Sequence, residues 1–581
     1  MKRSFLKRLT HKVFFVLGIL LLASGAGFSQ TKKKVEILHT DAGGYNERIV
    51  ANAQRLIGNV QIRVDGATMW CDSLYSYSNV NSVDAFGNVH IVRGDTLNMY
   101  ADFINYNGDT KIAKARRNVK LIDKTTILTT DSLDYDMPTD LAYYNHSGTV
   151  KDSANVLTSL IGQFHVNENK AYFRTNVEGT TKDYKIKSDT LIYYTNIRKV
   201  YIEGPTYIYN EKDTLYSEYG WYDSIKNLSN LTKNPRIWNI EQNIKADSIL
   251  YDKMKGEGLA LGNARLEDIE NKMIVQGNRV EYNDISKIAM ATDSAMFIQY
   301  SDGDSLFMHA EILKTIPDTS KFSLHAVKAK LATPKLIPDN LAKDSLAPAV
   351  AVDSTLQAIP LKVDSLATTT LAQDTTAVEK PKDPRLVLAY NKVRFFREDM
   401  QGKCDSLVYW SKDSTIQLFT DPVIWNSNNQ ITADYIEMIN RTKDPDEVHM
   451  ENNAFIISME ADSLRFNQIK GRNMIGFIRK NELYKVDVNG NGQSNYYVPD
   501  KKGLIGLNKA ESSNITIYLN KGKVSKIVLI KSPDGELKPM AEIDEGDKIL
   551  PGFNWLHEIR PKSKLDIFRT SEVVKVEKES L

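Results

Sequence analysis

The stretch Ala101-Asp102-Phe103-Ile104-Asn105-Tyr106 decides the fold of this chain, because its pattern returns at a near-constant interval. The pattern, which we call motif 1, is a small residue, an Asp, any residue, an aliphatic residue and usually an aromatic residue two positions later. The interval is about 29 residues, or about twice that where a copy is degenerate, which indicates a repeat array. The Asp of motif 1 occupies these positions: Asp72, Asp102, Asp131, Asp189, Asp247, Asp405, Asp434 and Asp462.

A second motif, of the form Gly-Asn-Val-x-Ile, keeps the same interval. Clear copies begin at Gly58 and Gly87, and looser copies begin at these positions: Arg117, Gly148, Gly204, Asn234, Gly262, Asp421 and Asn452. Gly-Asn and Asn-Pro pairs favour turns, so each copy predicts a turn followed by a strand. Two motifs in register over most of the chain are difficult to obtain by chance.

Both motifs have the alternation of short β-strands. In motif 1 the aliphatic and aromatic residues lie two positions apart, so their side chains point to one face of a strand. In motif 2, Val89 and Ile91 do the same around the polar His90. A strand and its turn take roughly ten residues, which gives two or three strands per repeat. The sequence therefore predicts an all-β fold.

The apolar residues of the two motifs form a predicted ladder of aliphatic and aromatic side chains. Such a ladder either lines an open apolar groove or fills the core of a closed β-solenoid, and the pattern alone favours neither. The ladder residues are Leu74, Tyr77, Val89, Ile91, Ile104, Tyr106, Val119, Leu121, Leu133, Tyr135, Leu191, Tyr193, Ile249, Tyr251, Leu407, Tyr409, Ile436 and Leu464.

Composition and motif content argue against several classes of function. The chain has 581 residues and is 42% hydrophobic, which is enough for a folded core, and its 75 basic residues against 73 acidic ones leave no basic excess for nucleic-acid binding. The sequence lacks the common nucleophile, phosphate-binding, dinucleotide-binding and zinc-protease motifs. Because one Asp recurs at the same position of each copy, we interpret it as a structural corner residue. We therefore predict no catalytic residue, no cofactor and no metal.

The two cysteines, Cys71 and Cys404, both occupy the small-residue position of motif 1. We therefore expect them to fill space as free thiols. They belong to distant copies of the repeat, which argues against a disulfide between them.

The N-terminus predicts export. A basic segment containing Lys2 and Lys12 precedes an apolar run at residues 13–23, and small residues lead up to Ser29. This is the pattern of a signal peptide at residues 1–29 that is cleaved before Gln30. The apolar run is shorter than the ~20 residues that a membrane-spanning helix needs.

The repeats predict a discontinuous array. Motif copies fill residues 30–322 and 385–480, and the stretch 323–384 is rich in Ala, Thr, Asp and Pro. Such a composition cannot bury enough apolar surface to fold, so we predict that this stretch is a disordered insertion. Residues 481–581 still contain strand patterns, and we predict that they form a C-terminal β extension that caps the array.

The two motifs, following a signal peptide, resemble the OstA-like (organic solvent tolerance) family, which includes a periplasmic bridge protein of lipopolysaccharide transport. The resemblance covers residues of about 45–300 and 385–480. It implies an elongated open β-jelly roll in which stacked antiparallel strands fold like a taco around an apolar groove. It further implies a periplasmic protein whose ladder residues shield the acyl chains of lipid A. The implied partners are lipopolysaccharide and other transport components at both membranes, joined end to end by strand addition, with self-association also possible.

Two other classes of function stay open. A closed β-solenoid that acts as a scaffold or adhesin would use the same ladder as its core. A β-helical polysaccharide-degrading enzyme would need an acid–base cluster in one or two neighbouring copies, whereas the Asp of motif 1 is uniform along the array.

Overall fold

A computed structural model describes residues 35–46, 48, 52–301, 303–318, 384–441, 445–479, 482–500, 503–520 and 523–569. The chain forms two compact units: unit 1 is Met1–Lys182 with Ile192–Asn196, and unit 2 is Asp183–Leu191 with Ile197–Leu581. The predicted signal peptide and all but the last residue of the predicted insertion lie outside the described residues. Every regular element that the structure describes is a β-strand, apart from four short 3-10 helices, so the all-β prediction is confirmed.

Unit 1 contains an antiparallel array of paired strands. Its strands are β1 (Glu36–His39), β2 (Ala42–Tyr45), β3 (Gln54–Val64), β4 (Ala67–Tyr77), β5 (Ser82–Arg93), β6 (Leu97–Asn107), β7 (Ile112–Asp123), β8 (Thr126–Asp136), β9 (Leu141–Tyr144), β10 (Gly148–Lys151), β11 (Val156–Ser159), β12 (Ile161–His165) and β13 (Lys170–Thr180). The next strand, β14 (Lys185–Tyr194), has its first part in unit 2 and its end in unit 1.

Unit 2 contains the remaining strands, which are also antiparallel. They are β15 (Lys199–Ile202), β16 (Thr206–Tyr209), β17 (Thr214–Ser217), β18 (Tyr219–Asp223), β19 (Leu228–Thr232), β20 (Arg236–Trp238), β21 (Gln242–Lys245), β22 (Ser248–Asp252), β23 (Glu257–Asp268), β24 (Met273–Asn283), β25 (Ile288–Thr292), β26 (Met296–Gln299), β27 (Leu306–His309), β28 (Ile312–Pro317), β29 (Arg385–Phe396), β30 (Gln401–Trp410), β31 (Ile416–Phe419), β32 (Val423–Asn426), β33 (Asn429–Thr432), β34 (Tyr435–Ile439), β35 (Asp446–Met459), β36 (Phe466–Arg479), β37 (Glu482–Asp500), β38 (Gly503–Asn520), β39 (Lys523–Ile530) and β40 (Asp534–Pro539). The 3-10 helices are Met540–Glu542, Glu545–Asp547, His557–Ile559 and Asp566–Phe568.

The long strands bend at a bulge near their middle, and the two halves pair with different partners. In β8, residues 127–130 pair with β10, whereas residues 134–136 pair with β9. Within each unit, the strands therefore form two arms joined at the bulges, which we call corners. Arm A contains residues 60–71, 89–101, 119–130 and their equivalents in unit 2, such as 393–404, 423–432 and 454–471. Arm B contains residues 73–86, 103–116, 132–144 and equivalents such as 406–419, 435–451 and 473–489.

The interior lies between the two arms. In β6 the buried side chains are Leu97, Met99 and Ala101 before the corner, and Ile104 and Tyr106 after it. The bulge at the corner shifts the alternation by one residue, so that both halves turn their apolar side chains inward. The hairpin turns at the outer ends of the arms lie opposite the corners, on a side that we call the mouth.

The strands on either side of the predicted insertion pair directly with each other. β28 and β29 form an antiparallel ladder from Ile312↔Tyr390 to Pro317↔Arg385, and the Asp318 N–H donates to the Pro384 carbonyl at 2.8 Å. The chain thus leaves and re-enters the array at neighbouring positions.

The last part of unit 2 runs along the outside of arm A. We call residues 544–569 the strap. Gln430 and Gln468, whose neighbours Ile431 and Ile469 point to the interior, each grip the strap backbone with one amide group. The Gln468 Nε2 donates to the Lys548 carbonyl at 2.7 Å, and its Oε1 accepts from the Leu550 N–H at 2.8 Å.

Gln430 repeats this geometry one step further along the strap. Its Nε2 donates to the Asn554 carbonyl and its Oε1 accepts from the Leu556 N–H, both at 2.7 Å. In the described part of residues 481–581, strands β37 to β40 precede the strap, which ties arm A strands together from outside.

Candidate functional site

In several copies the Asp of motif 1 is a corner residue, as predicted from its recurrence. The Asp72 carboxylate accepts a hydrogen bond from the Asn88 side chain at 2.9 Å. The same Asp–Asn pair recurs in other copies at 2.8–3.1 Å: Asp102 with Asn118, Asp247 with Asn263, and Asp434 with Asn453. Each of these carboxylates is therefore committed to holding a turn, and the interpretation as a structural residue is confirmed for these copies.

Glycine is required at Gly87 because the corner carboxylate lies against it. Gly87 has φ +74°, and a Cβ there would lie 2.3 Å from an Asp72 carboxylate oxygen. Gly58 and Gly262 face Asp41 and Asp247 with the same spacing. The Gly-Asn pair of motif 2 thus supplies two successive left-handed residues, and the smaller of them makes room for the Asp of the neighbouring copy.

Most ladder residues are buried in the interior. Leu74, Ile104, Leu133 and Leu191 are 0% exposed. A cavity between Ile91, Arg93, Tyr135 and their neighbours has a volume of only about 10 Å³, which is roughly one water molecule. At these positions the ladder fills a packed core. The remaining buried ladder residues are Val89, Ile91, Tyr106, Val119, Leu121, Tyr135, Tyr193, Ile249, Leu407, Tyr409 and Ile436, and Tyr251 is partly buried.

Two ladder residues were placed wrongly. Tyr77 is three residues from the buried Leu74, and an odd spacing puts it on the opposite face of β4, where its hydroxyl donates to Asp84 at 3.1 Å. Leu464 is 80% exposed, because Asp462 accepts backbone hydrogen bonds from Leu464 and Arg465 and folds this copy of motif 1 into a turn between β35 and β36.

In unit 1 the mouth is closed by buried tyrosines of the ladder. The Tyr106 hydroxyl, on arm B, donates to Asp65 at 2.6 Å, and Asp65 lies in the β3–β4 turn at the end of arm A. The Lys111 ammonium lies 3.3 Å from the same carboxylate. Burial, followed by the hydrogen bond to Asp65, raises the pKa of Tyr106, so the phenol stays a hydrogen-bond donor.

The second closure joins Tyr135 of arm B to Arg93 of arm A. The Tyr135 hydroxyl donates to Asp140 at 2.6 Å, and the Arg93 guanidinium donates to the Tyr135 hydroxyl at 3.2 Å, to the Met137 carbonyl at 3.1 Å and to Asp140. Arg93 thereby crosses the mouth from the end of β5 to the turn after β8.

The third closure joins Tyr193 of arm B to the β10–β11 turn of arm A. The Tyr193 hydroxyl donates to Asp152 and accepts from the Asn155 side chain at 3.0 Å. Burial alone would raise the pKa of Asp152, but the hydrogen bonds from Tyr193 and from the backbone of Ala154 and Asn155 hold it below its ordinary value. We call these three groups, centred on Tyr106, Tyr135 and Tyr193, the latches.

In unit 2 a row of cavities lies between the arms. The first, of about 340 Å³, is lined by Leu306, Met400, Tyr409 and Met438 among others. A narrow second cavity of about 60 Å³ shares Met400 and Met438 with the first and Ile456 with a third. The third cavity, of about 550 Å³, has an apolar floor formed by these residues: Ile456, Ile469, Leu483, Val486, Ile517, Leu519, Val524 and Ile527. We call the three cavities together the slot.

The slot is open where the tyrosine pattern of motif 1 changes. Met438 occupies the position of Tyr106 in its copy of the motif, and it lines the slot without a hydroxyl that could cross the mouth. The equivalent Tyr409 also lines the slot; its hydroxyl bonds to Ser414 in the adjacent turn of its own arm, and burial raises its pKa. Sequence reasoning missed the slot, since Met438 departs from the aromatic residue of motif 1 and was left out of the ladder.

The rim of the slot is polar, in contrast to its floor. Arg397 pairs with Asp399 at 2.5 Å, and the rim of the first cavity also carries Asp304, Asp446 and Glu447. A site with charged groups at its entrance and aliphatic side chains beneath them fits an amphiphilic ligand, whose polar end stays near water while its apolar end is shielded.

Other kinds of site find no support in the part of the chain that the structure describes. Cys71 and Cys404 are buried and free, and burial raises the pKa of the Cys71 thiol to about 11. Among the described residues, no group of three or more His, Cys, Asp or Glu side chains could hold a metal ion. None of the helices described is both long enough and apolar enough to cross a bilayer.

The fold and the site define an all-β protein of antiparallel strands, bent at repeated Asp–Asn corners, whose two arms enclose an apolar interior. Residues 32–189 match the family model of OstA-like protein. The resemblance inferred from the motifs is thereby confirmed there, and the slot lies outside the matched residues. A comparison with curated proteins gives no match.

Proposed function

We propose that this protein is a periplasmic carrier that binds lipopolysaccharide and helps to move it from the inner to the outer membrane. The acyl chains lie in the slot of unit 2. The observation that carries this proposal is the slot itself, in which an apolar floor between two sheets lies beneath a charged rim.

The energetics of acyl chains explain why such a carrier needs the slot. An acyl chain of roughly a dozen CH₂ groups, at ~0.8 kcal/mol each, costs about 10 kcal/mol to leave in water. The third cavity, at about 550 Å³, lies within the usual range for ligand pockets, roughly 300–1,000 Å³. Aliphatic side chains such as Ile517 and Val524 supply contacts without competing hydrogen bonds.

The family supports the same role from the other region of the chain. The match of residues 32–189 to the model of OstA-like protein supports the proposal, because the OstA-like family includes a component of lipopolysaccharide transport. The strands β1 and β2 both pair with β3, and all their residues are exposed. Such short, exposed strands suit end-to-end strand addition by other transport components or by a second copy.

Site-specific photo-crosslinking tests the proposal. A photoreactive amino acid at Met438 points into the slot, whereas one at the adjacent Glu437 points outward, where Glu437 accepts a hydrogen bond from Gln417 at 2.7 Å. We expect lipopolysaccharide to be captured in cells at position 438 and not at 437. Equal capture at both positions, or capture at neither, would contradict the proposal.

A closed scaffold is the second candidate function, and the packed interior of unit 1 favours it for that region. There the ladder behaves as the core of a sealed solenoid. A protein that acts only as a scaffold would still bind its partners when the slot is blocked. A carrier with a blocked slot would no longer deliver lipid. Transport assays on a slot-blocked variant therefore separate the two functions.

A further inference from the structure

We propose that the three latches of unit 1 form a gate, which keeps acyl chains out of the interior of that unit until the tyrosine hydroxyls are released. This inference rests on the proposed function, because it assumes that an acyl chain is the ligand that enters between the arms. It assigns the ladder tyrosines the role of closing the mouth with their hydroxyls, in addition to contributing apolar surface.

The first step of the argument is the position of the latches. In each latch a group from the arm A end meets a tyrosine of arm B that lies 41 or 42 residues further along the chain. The hydrogen bonds therefore cross the mouth, which is the side where an acyl chain would enter from outside. A latch that breaks frees an edge of the interior without disturbing the Asp–Asn corners.

The second step is the chemistry of the contacts. Each latch consists of a phenol bound to a carboxylate, and Lys111 and Arg93 add a cation to two of them. Hydrogen bonds to charged groups are stronger than neutral ones but remain individually breakable. The buried hydroxyl of Tyr106 must always find a hydrogen-bond partner. A core that served only stability would therefore favour an aliphatic residue at this position.

The third step is the comparison with the slot. In unit 2 the latch position next to the slot is Met438 in one copy and Tyr409 in another, and there the arms enclose cavities instead of a packed core. Phenylalanine keeps the ring of each latch tyrosine and removes only the hydroxyl, so the triple variant Y106F/Y135F/Y193F removes the tyrosine hydrogen bonds while core packing is kept. The contacts of Arg93 with Met137 and Asp140, and the Lys111–Asp65 pair, remain in this variant.

The chain carries its own reporter of the gate. Cys71 lies on β4 with the inward residues Ala67 and Met69 and is 5% exposed, and Cys404 is 6% exposed in unit 2. In the full-length protein we expect the triple variant to raise the alkylation rate of Cys71 about tenfold, the change that corresponds to ~1.4 kcal/mol. The rate at Cys404 should stay unchanged. An unchanged rate at Cys71 would overturn the gate.

A diazirine-bearing fatty acid then separates the gate from the proposed function. In the wild-type protein we expect peptides of the slot to be labelled and those of residues 89–135 to be unlabelled; in the triple variant both should be labelled. Labelling of residues 89–135 in the wild type, or of the slot alone in the variant, contradicts the gate and leaves the carrier function standing. If the slot is labelled in neither protein, the proposed function fails, whatever happens at Cys71.

Discussion

The latched section of unit 1 and the slot of unit 2 share one corner geometry and differ at the mouth. Both use an Asp–Asn pair to bend the strands, as in Asp72–Asn88 and Asp434–Asn453. In unit 1 tyrosine hydroxyls cross the mouth, and the interior is filled. In unit 2 the corresponding Met438 has no polar atom to offer, and cavities remain. The two regions therefore differ at the mouth: a hydroxyl crosses it in each latch of unit 1, and none does so at Met438.

The slot has a second distinguishing feature, which is support from outside. A mouth without latches loses the hydrogen bonds that hold the two arms in place. In unit 2 the strap grips arm A through Gln430 and Gln468, and the Asp547 carboxylate accepts hydrogen bonds from Lys509 at 2.7 Å and Lys538 at 2.9 Å. The strap therefore keeps strands of arm A in register while their inner face stays open to a ligand.

The largest loss of stability is expected at the corners, which the two regions share. The substitutions Gly87→Ala and Gly262→Ala should each destabilise their own unit by roughly 3 kcal/mol, because the new Cβ needs a strained φ and displaces the corner carboxylate. The matched control is Gly94→Ala, which has φ +62° but no atom within 4 Å, and should cost only roughly 1 kcal/mol. Hydrogen exchange of peptides from each unit measures both. If Gly87→Ala and Gly262→Ala destabilised their units by very different amounts, the two regions would differ at their corners as well as at the mouth.

The second prediction concerns the affinity of the slot for a fatty acid. Met438→Trp should lower the affinity for a fatty acid about thirtyfold, or ~2 kcal/mol, because the indole fills the narrow second cavity. Glu437→Gln, one residue away on the outer face, should leave the affinity unchanged. Titration with a fluorescent fatty acid measures both variants. An unaltered affinity in Met438→Trp would remove the slot from consideration as the acyl site.

The strap gives the third prediction. Gln468→Leu removes the amide that pairs with the Lys548 carbonyl and the Leu550 N–H, and should cost unit 2 about 1.5 kcal/mol. Hydrogen exchange of residues 544–569 should become faster, and exchange in unit 1 should not change. Gln493→Leu is the control, because Gln493 bonds to the exposed Glu511 side chain. Equal effects of the two substitutions would mean that the strap is not held by its amide clamps.

The sequence predicted the repeating parts of this molecule and missed the parts that depend on long-range geometry. The spacing of Ile104 and Tyr106 and the Gly-Asn turns required only local alternation, so the all-β class and the corner role of Asp could be inferred. Tyr77 and Leu464 were misplaced because one residue of slip or a local Asx turn changes which face a side chain takes.

The slot and the latches could not be inferred in the same way. The latch partners Asp65 and Asp152 lie in turns some forty residues before their tyrosines, and a turn Asp has an ordinary local explanation. The signal that could have separated the two regions is the change from Tyr to Met at position 438, which becomes informative only when the crossing of the mouth is known. The strap was invisible because Gln430 and Gln468 look like ordinary outward-facing strand residues.

The smallest effect is a difference in the sign of pH dependence. In unit 1 the hydrogen bonds to Asp152 hold its pKa below the ordinary value, despite burial. This latch is therefore fully stabilising above the unfolded-state pKa of about 3.9, and its contribution is lost as the pH falls through the lower folded value. In unit 2 burial raises the pKa of Asp284, although the Tyr251 hydroxyl donates to it at 2.8 Å and opposes that shift. Protonation of Asp284 is easier in the folded state, so its contribution rises as the pH falls from neutral towards the unfolded value.

The two aspartates thus make opposite predictions for one acid titration of the full-length protein. Asp152→Asn should reduce the loss of protection in unit 1 on acidification, because the amide cannot be protonated in that range. Asp284→Asn should reduce the corresponding gain in unit 2. Peptide-resolved hydrogen exchange between neutral pH and about pH 2, corrected for the intrinsic exchange rate, covers both transitions and reads the two units separately. If both substitutions shifted protection in the same direction, the carboxylates of the two regions would be equivalent, and the tyrosine contact at Asp152 would lose its distinction from the one at Asp284.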